Sequence, residues 1–122
     1  MPNVSIIMGV YNCKNYNLLR KSVESILQQT YEFVICNDGS TNNTLEELKK
    51  IAQSDSRIKI ISYEKNRGLN HALNECLAVS QGKYIARQDD DDVSKPERLK
   101  KQVQFLYENR EYAIVGTCAD VF

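Results

Sequence analysis

Several patterns that would identify a function directly are missing from this sequence. Sixteen Lys and Arg balance sixteen Asp and Glu, so the chain has no excess of one charge. Nucleic-acid binding generally needs a basic face, and we therefore expect no nucleic acid among the partners. There is no glycine-rich phosphate loop either, because the first apolar run offers only Gly9 and no Gly-Lys-Ser/Thr occurs. The usual dinucleotide-binding and P-loop folds are therefore not expected.

The chain also lacks a Cys-x-x-Cys pair, a long apolar run and a recognisable signal peptide. The wide spacing of its cysteines favours buried free thiols over a metal or redox motif. The first apolar run is far too short to span a bilayer. We expect a cytoplasmic protein, and leave open its oligomeric state and whether it works at the inner face of the membrane. The four cysteines are Cys13, Cys36, Cys76 and Cys118.

Strand and helix patterns alternate along the 122 residues, a length that suits one domain. Five short apolar runs are typical of buried parallel strands. The stretches between them place apolar residues at helical spacing. The sequence therefore predicts an α/β fold with a mostly parallel sheet flanked by helices. The predicted strands are 4–10, 33–36, 57–62, 83–86 and 112–116, and the first helix is predicted over 15–29.

Short polar motifs predict where the other helices begin and end. Ser40 or Thr41 is expected to cap the second helix, and Gly82 to end the third. Ser94 and Glu97 have the spacing of a capping box for the fourth helix, with Pro96 in its first turn.

Four consecutive aspartates, Asp89–Asp92, follow the fourth predicted strand. In an open α/β sheet, ligands bind in the crevice at the carboxyl ends of the strands. Mg²⁺ commonly combines one or two carboxylates with the phosphates of a substrate. A solvated acidic turn is the alternative, since blocks of like charge usually lie in water. The position at a strand end favours a metal that carries a phosphorylated ligand.

Two further polar segments should meet the aspartates at this edge of the sheet. Tyr11, after the first strand, could stack on a planar base or could be an ordinary tyrosine at the rim. Asp38, after the second strand, could accept a hydrogen bond from a ring N–H such as that of uracil, or bond its own turn. Phosphate would be held by the metal or by side chains such as Lys65 and Arg67.

Five segments, in this order, resemble motifs of glycosyltransferase family 2, the inverting enzymes of GT-A fold. Each motif alone is weak, but the combination is specific and covers nearly the whole chain. The segments are Val4–Asn12, Ser25–Thr30, Asn37–Thr41, Asn66–Asn70, and Ala86–Asp92 followed by Pro96–Leu99.

The resemblance implies a Rossmann-like GT-A fold with a nucleotide-sugar site. By it, the backbone at Gly9 and the ring of Tyr11 would flank the base, and Asp38 would bond uracil. Arg67 would contribute to the nucleotide site. The expected donor is a UDP-sugar or another nucleotide-diphosphate sugar. The expected acceptor is a hydroxyl of a glycan or lipid-linked molecule, in polysaccharide or cell-surface glycan synthesis.

The resemblance also implies a site for Mn²⁺ or Mg²⁺ in the acidic cluster. Asp89 and Asp91 correspond to the two aspartates of the family's Asp-x-Asp motif. Asp91 is the expected direct ligand, and Asp90 is expected to touch ribose or phosphate.

The chain departs from the family pattern at two places. Asn37 stands where the family usually has Asp, although the following Asp38 is kept. The connection from Thr30 to the second strand is also a few residues shorter than expected, and should lie away from the ligand edge.

No residue of the chain matches the expected general base. Inverting transfer needs a base to deprotonate the acceptor hydroxyl, and in this family it belongs to the later, acceptor-binding half. Asp120 and Glu111 match no such motif, so the base is expected beyond Phe122. We therefore expect a C-terminally truncated protein, with residues 1–122 forming one donor-binding domain that binds donor weakly and transfers little or nothing alone.

Two other functions remain as alternatives. A catalytically inactive nucleotide-binding remnant is compatible with the expected truncation. A receiver-type signalling domain has a similar length and sheet, but it needs acidic residues after the first strand and an aspartate after the third. Gly9–Asn12 and Ile61–Tyr63 occupy those positions here.

Overall fold

The structure, a computed structural model, describes residues 3–111 together with 114 and 115. In this part of the chain, four strands alternate with four helices, which confirms the predicted α/β order. The predicted fifth strand, 112–116, lies largely outside the described residues, and its described members Ile114 and Val115 belong to no strand. The elements are β1 (Val4–Val10), α1 (Tyr16–Leu27), β2 (Glu32–Asp38), α2 (Thr44–Ser54), β3 (Ile58–Tyr63), α3 (Leu69–Val79), β4 (Tyr84–Arg87) and α4 (Arg98–Glu108).

The strands form one parallel sheet in the order β3-β2-β1-β4. β1 lies at its centre, with Ile7 opposite both Val34 of β2 and Arg87 of β4. Asp38 at the end of β2 lies opposite Tyr63 at the end of β3. Because all four strands run the same way, their carboxyl ends share one edge of the sheet.

Helices cover both faces of this sheet, as predicted. Side chains of α1, α2 and α4, such as Leu19, Leu48 and Leu99, pack on one face with the larger core. On the other face, Ala72 and Cys76 of α3 pack against β1 and β2. A Cβ at Gly9 would lie 2.7 Å from Leu69 Cδ1, so the glycine lets α3 approach β1 closely. Cys13, Cys36 and Cys76 are buried free thiols, as predicted, and Cys118 lies outside the described residues.

Three of the predicted helix signals are wrong. α2 begins at Thr44, beyond Ser40 and Thr41, because those two residues bond the loop after β1 instead. α3 ends at Val79, before Gly82 is reached. The predicted capping box does not form, as α4 begins only at Arg98 and no side chain caps it from within.

The amino-terminal edge of the sheet is fastened by Glu32, whose side chain is almost fully buried. Its carboxylate accepts hydrogen bonds from Ser5 Oγ at 2.6 Å, from Lys59 Nζ at 2.7 Å and from the backbone N–H of Gln81. Burial alone would raise the pKa of Glu32, but these bonds outweigh it and lower the pKa. β1, β2, β3 and the segment before β4 are therefore tied together at the edge opposite the predicted ligand site.

The connection between α1 and β2 lies at this same amino-terminal edge, away from the predicted ligand site, as expected. It comprises only residues 28–31. In the described part of the chain, no helix has the length and apolar character needed to cross a bilayer.

Candidate functional site

A cleft of about 220 Å³ opens at the carboxyl edge of the sheet. Gly9 and Tyr11, predicted from one motif, and Asp38, predicted from another, line it together with Asn66 and Gly68. Tyr11 is 50% exposed, so part of its surface is available to a ligand. Whole small-molecule pockets usually span about 300–1,000 Å³. The cleft therefore suits one part of a ligand, such as a base.

Asn12 joins the loop after β1 to the loop after β2. Its φ of 46° is left-handed, a conformation that asparagine tolerates better than most residues. Its backbone N–H donates to Ser40 Oγ at 2.9 Å, and its Oδ1 accepts from Thr41 N at 2.7 Å. These bonds hold the loop bearing Tyr11 beside the loop that follows Asp38.

Asp38 is buried at the base of the cleft, at 3% exposure. Its Oδ1 accepts from Tyr63 OH at 2.6 Å and Arg67 N at 2.8 Å, and its Oδ2 accepts from Asn66 Nδ2 and Gly68 N, both at 3.0 Å. A carboxylate offers about four acceptor positions, so donors within the protein already fill them. Asp38 thus shapes the wall formed by residues 66–68. A bond to a ring N–H remains a prediction, and it would require one of these donors to give way.

Arg67 lies on that wall with its side chain exposed. Its guanidinium carbon is 5.8 Å from the centre of the Tyr63 ring, within the range of a cation–π contact. Among the described residues it has no carboxylate partner within ion-pair distance. Its charge is therefore available to an anionic ligand.

Asn37, the departure from the family pattern, faces β3. Its Nδ2 donates to Ser62 Oγ at 3.1 Å, while its Oδ1 accepts from Ser40 N at 3.3 Å. An amide can make both bonds, whereas an ionised Asp could only accept. The substitution leaves Asp38 in place at the cleft.

The acidic cluster lies at the end of β4, the strand that neighbours β1. Asp89, Asp91 and Asp92 each place one carboxylate oxygen within 4.8 Å of the others. Asp89 and Asp91 were predicted as a pair, and Asp92 was missed. Oxygen donors in this number and spacing fit a hard cation such as Mg²⁺ or Mn²⁺.

The four aspartates differ in their surroundings. Burial raises the pKa of Asp90, and the charge of Asp91 raises it further. Burial and then the charge of Asp89 also raise the pKa of Asp92. Burial raises the pKa of the Cys13 thiol as well, with Asp90 and Asp91 adding to the effect. Because β4 pairs with β1, with Arg87 opposite Ile7, the acidic loop that follows β4 lies next to the loop after β1 that lines the cleft.

Sequence reasoning missed the side chains beneath the acidic loop. Ser22 of α1 donates from Oγ to the carbonyl of Asp89 at 2.8 Å, and Gln88 donates from Nε2 to the carbonyl of Asp92 at 2.7 Å. Ser22 and Gln88 are both almost fully buried. The one available signal was the presence of polar residues at positions where the helix and strand patterns call for buried ones.

The fold and the site together define a class of protein, the glycosyltransferases of GT-A fold. A mannosyltransferase from Pyrobaculum calidifontis, solved with GDP-Man and Mn²⁺, superposes with a TM-score of 0.75 at 24% identity, over 86% of this chain and 32% of that one. TarS residues 1–349 from S. aureus, solved with UDP-GlcNAc, gives a TM-score of 0.75 at 25% identity, over 88% of this chain and 32% of that one.

Sequence comparison defines the family. Residues 5–122 match Glycosyl transferase family 2, and the chain belongs to that family. The putative glycosyltransferase EpsE of Bacillus subtilis (strain 168) is 50% identical over 125 aligned positions, which cover 99% of this chain and 44% of that protein. The chondroitin synthase of Pasteurella multocida (strain Pm70) is 37% identical, over 96% of this chain and 12% of that protein. This chain thus spans less than half the length of these relatives.

Proposed function

We propose that this chain is the donor-binding part of an inverting glycosyltransferase that uses a nucleotide-diphosphate sugar, most simply a UDP-sugar. One observation carries the proposal: a base-sized cleft and a cluster of three carboxylates lie side by side at the carboxyl edge of one parallel sheet. A nucleotide diphosphate has a planar base at one end and a metal-binding diphosphate at the other. Family membership supports the transferase activity itself.

The base would lie in the cleft, against the ring of Tyr11 and the backbone at Gly9. Asp38 would accept a hydrogen bond from a ring N–H of the base, in place of one of the bonds that it now accepts from donors within the protein. Arg67 would approach the phosphates, because its guanidinium is exposed beside the cleft. UDP is supported by the likeness to TarS, whose structure holds UDP-GlcNAc, and GDP is the competing nucleotide.

Asp89 and Asp91 would hold Mn²⁺ or Mg²⁺, with Asp92 close enough to join them. The bound cation would supply positive charge to the diphosphate as it leaves. Asp90 is proposed to contact ribose or phosphate. No described residue is assigned as the base that takes the acceptor proton. Relatives named for chondroitin and teichuronic acid synthesis support an acceptor in polysaccharide or cell-surface glycan synthesis.

Calorimetric titration of UDP tests the proposal, first with Mn²⁺ and then with EDTA. We expect UDP to bind with the metal and to lose most of its affinity without it. Asp91→Ala should abolish the difference, because it removes the expected direct ligand. The control Glu24→Ala removes an exposed carboxylate on α1 and should leave the difference unchanged. If the unaltered chain bound UDP equally well with Mn²⁺ and with EDTA, the result would contradict the proposed metal site.

An inactive nucleotide-binding remnant would pass the same titration. The two functions separate when the protein is incubated with a UDP-sugar and candidate acceptors. Transfer supports the enzyme, and binding without transfer to any of them favours the remnant.

A further inference from the structure

The side chain of Gln88 sits at the centre of a buried network under the acidic loop. The residue is 2% exposed, yet all the bonding capacity of its amide is in use. Nε2 donates to Asp92 O at 2.7 Å and to Ser22 Oγ at 3.2 Å. Oε1 accepts from Ser94 Oγ and from Arg98 Nη1, both at 2.7 Å. These bonds hold the buried amide in one orientation, and the amide in turn fixes the positions of its hydrogen-bond partners.

The network ends on the backbone of the loop rather than on its carboxylates. Ser22 Oγ fixes the carbonyl of Asp89, and Gln88 Nε2 fixes the carbonyl of Asp92. Asp92 N donates to Asp89 O at 3.2 Å and closes the turn. Both ends of the turn are thereby anchored from below, while the carboxylates of Asp89, Asp91 and Asp92 stay exposed above it.

Arg98 is the second arm of the network. Its guanidinium donates from Nη1 to Gln88 and to Ser94 Oγ at 3.1 Å, and from Nη2 to the carbonyl of Arg87 at 2.9 Å. These bonds join the end of β4 to the start of α4, on either side of the acidic loop. The planar fork of arginine makes such paired contacts, which a lysine ammonium cannot reproduce.

We propose that Gln88 is a positioning residue for a divalent cation at Asp89, Asp91 and Asp92, with Arg98 holding Gln88 in place. The inference rests on the proposed function and adds to it the device that sets the spacing of the carboxylates. Three like charges within 4.8 Å repel one another, so an unanchored turn would spread before a cation arrived. Residues that orient metal ligands from behind commonly control affinity about 10–100-fold.

Direct titration of Mn²⁺, followed by electron paramagnetic resonance, measures this role without any transfer reaction. Gln88→Leu removes every amide contact, and Arg98→Lys keeps the charge but loses the fork. Both variants should bind Mn²⁺ about 10–100-fold more weakly. Uridine, which has no phosphate, depends on the cleft alone, so its binding in EDTA should be unchanged.

Two further variants keep the test sharp. Ser22→Ala is a smaller change that removes one anchor, and it should weaken Mn²⁺ binding even if Gln88→Leu fails to fold. Ser5→Ala removes a buried hydroxyl at the opposite edge of the sheet, so it should cost stability without altering Mn²⁺ affinity.

Folded variants that bind uridine and retain the original Mn²⁺ affinity would overturn the positioning role and leave the proposed function standing. If only Arg98→Lys retained the original Mn²⁺ affinity, the role assigned to the guanidinium fork would be overturned. A positive charge at this position would then be sufficient. An unaltered chain that binds no Mn²⁺ would overturn the proposed function and this inference with it.

Discussion

Glu32 is a single carboxylate on which the amino-terminal edge of the sheet depends. Glu32→Gln should lower the free energy of unfolding by about 1–3 kcal/mol at neutral pH. The amide can still accept from Ser5 and Gln81, but its NH₂ group would face the Lys59 ammonium. Urea unfolding measures the loss. Lys50→Met removes an exposed lysine whose ion pair with Glu47 lies at the surface, so as the control it should cost little.

The effect of Glu32 should also depend on pH. Its folded-state pKa lies below the ordinary value of 4.5, so the ionised group stabilises the fold above that pH. This stabilisation disappears as the pH falls through the lowered pKa and the carboxylate takes up a proton. The difference between the original chain and Glu32→Gln should therefore shrink as the pH falls below about 4.5. A difference that grew on acidification would contradict the assignment.

Gly39 and Gly68 allow backbone strain to be separated from steric overlap. Both have positive φ, 69° and 96°, but a Cβ at Gly39 would overlap the backbone of Lys65 and Asn66, whereas one at Gly68 would meet open space. Gly68→Ala should cost about 1–3 kcal/mol for strain alone. Gly39→Ala should cost about 4 kcal/mol or more, because two loops would have to separate. Chemical denaturation compares them, and equal losses would show that the overlap relaxes freely.

At the scale of residues, sequence could predict groups that form a motif with their near neighbours. Gly9, Tyr11 and Asp38 meet at one cleft because the ends of parallel strands must meet, whatever the details of packing. Ser22 and Gln88 escaped prediction because their contact joins residues 66 positions apart. A polar residue in a buried pattern signals that a partner exists, but it does not say which one.

At the scale of elements, the beginning of α4 shows how a neighbouring segment can replace a local cap. Leu99 N donates at 2.8 Å to Oε1 of Gln29, a residue of the connection that follows α1. Gln29→Ala should destabilise the first turn of α4 by about 1 kcal/mol, as loss of a cap commonly does. Hydrogen exchange of the Leu99 amide should accelerate more than that of later amides in the helix.

Glu97→Gln is the control for this prediction. Glu97 was expected to close a capping box, yet its side chain makes no capping bond, and its ion pair with Lys101 is long and exposed. We expect almost no change in stability or exchange. A large effect of Glu97→Gln with none from Gln29→Ala would restore the local capping box.

The type and order of the described elements were predictable, while several of their ends were not. Apolar periodicity reports which residues face a core, and that property survives the details of tertiary contact. The start of a helix depends on which polar group bonds the free backbone N–H groups of its first turn. Thr41, for example, bonds Asn12 in another loop, and α2 therefore starts three residues later at Thr44.

At the scale of the whole molecule, the two edges of the sheet have opposite energetic roles. The amino-terminal edge pairs its buried charge, Glu32, with Lys59. The carboxyl edge gathers Asp89, Asp91 and Asp92, which repel one another although Arg87 pairs with Asp89 at 3.2 Å. Functional sites often accept such a cost to stability in return for binding. The stabilising contacts at the amino-terminal edge thus offset the repulsion among the carboxylates at the carboxyl edge.

Asp91→Asn should reveal this trade-off in a single pair of melting curves. In EDTA the variant should melt about 2–5 °C above the original chain, because one repulsive charge is gone and the side chains are exposed enough for screening to limit the gain. With Mn²⁺ and UDP the order should reverse, since ligands stabilise only the form that binds them. High salt should shrink the difference seen in EDTA, as expected for exposed charges. If the variant were less stable than the original chain in EDTA, Asp91 would stabilise the fold itself. The acidic loop would then have a structural role apart from cation binding.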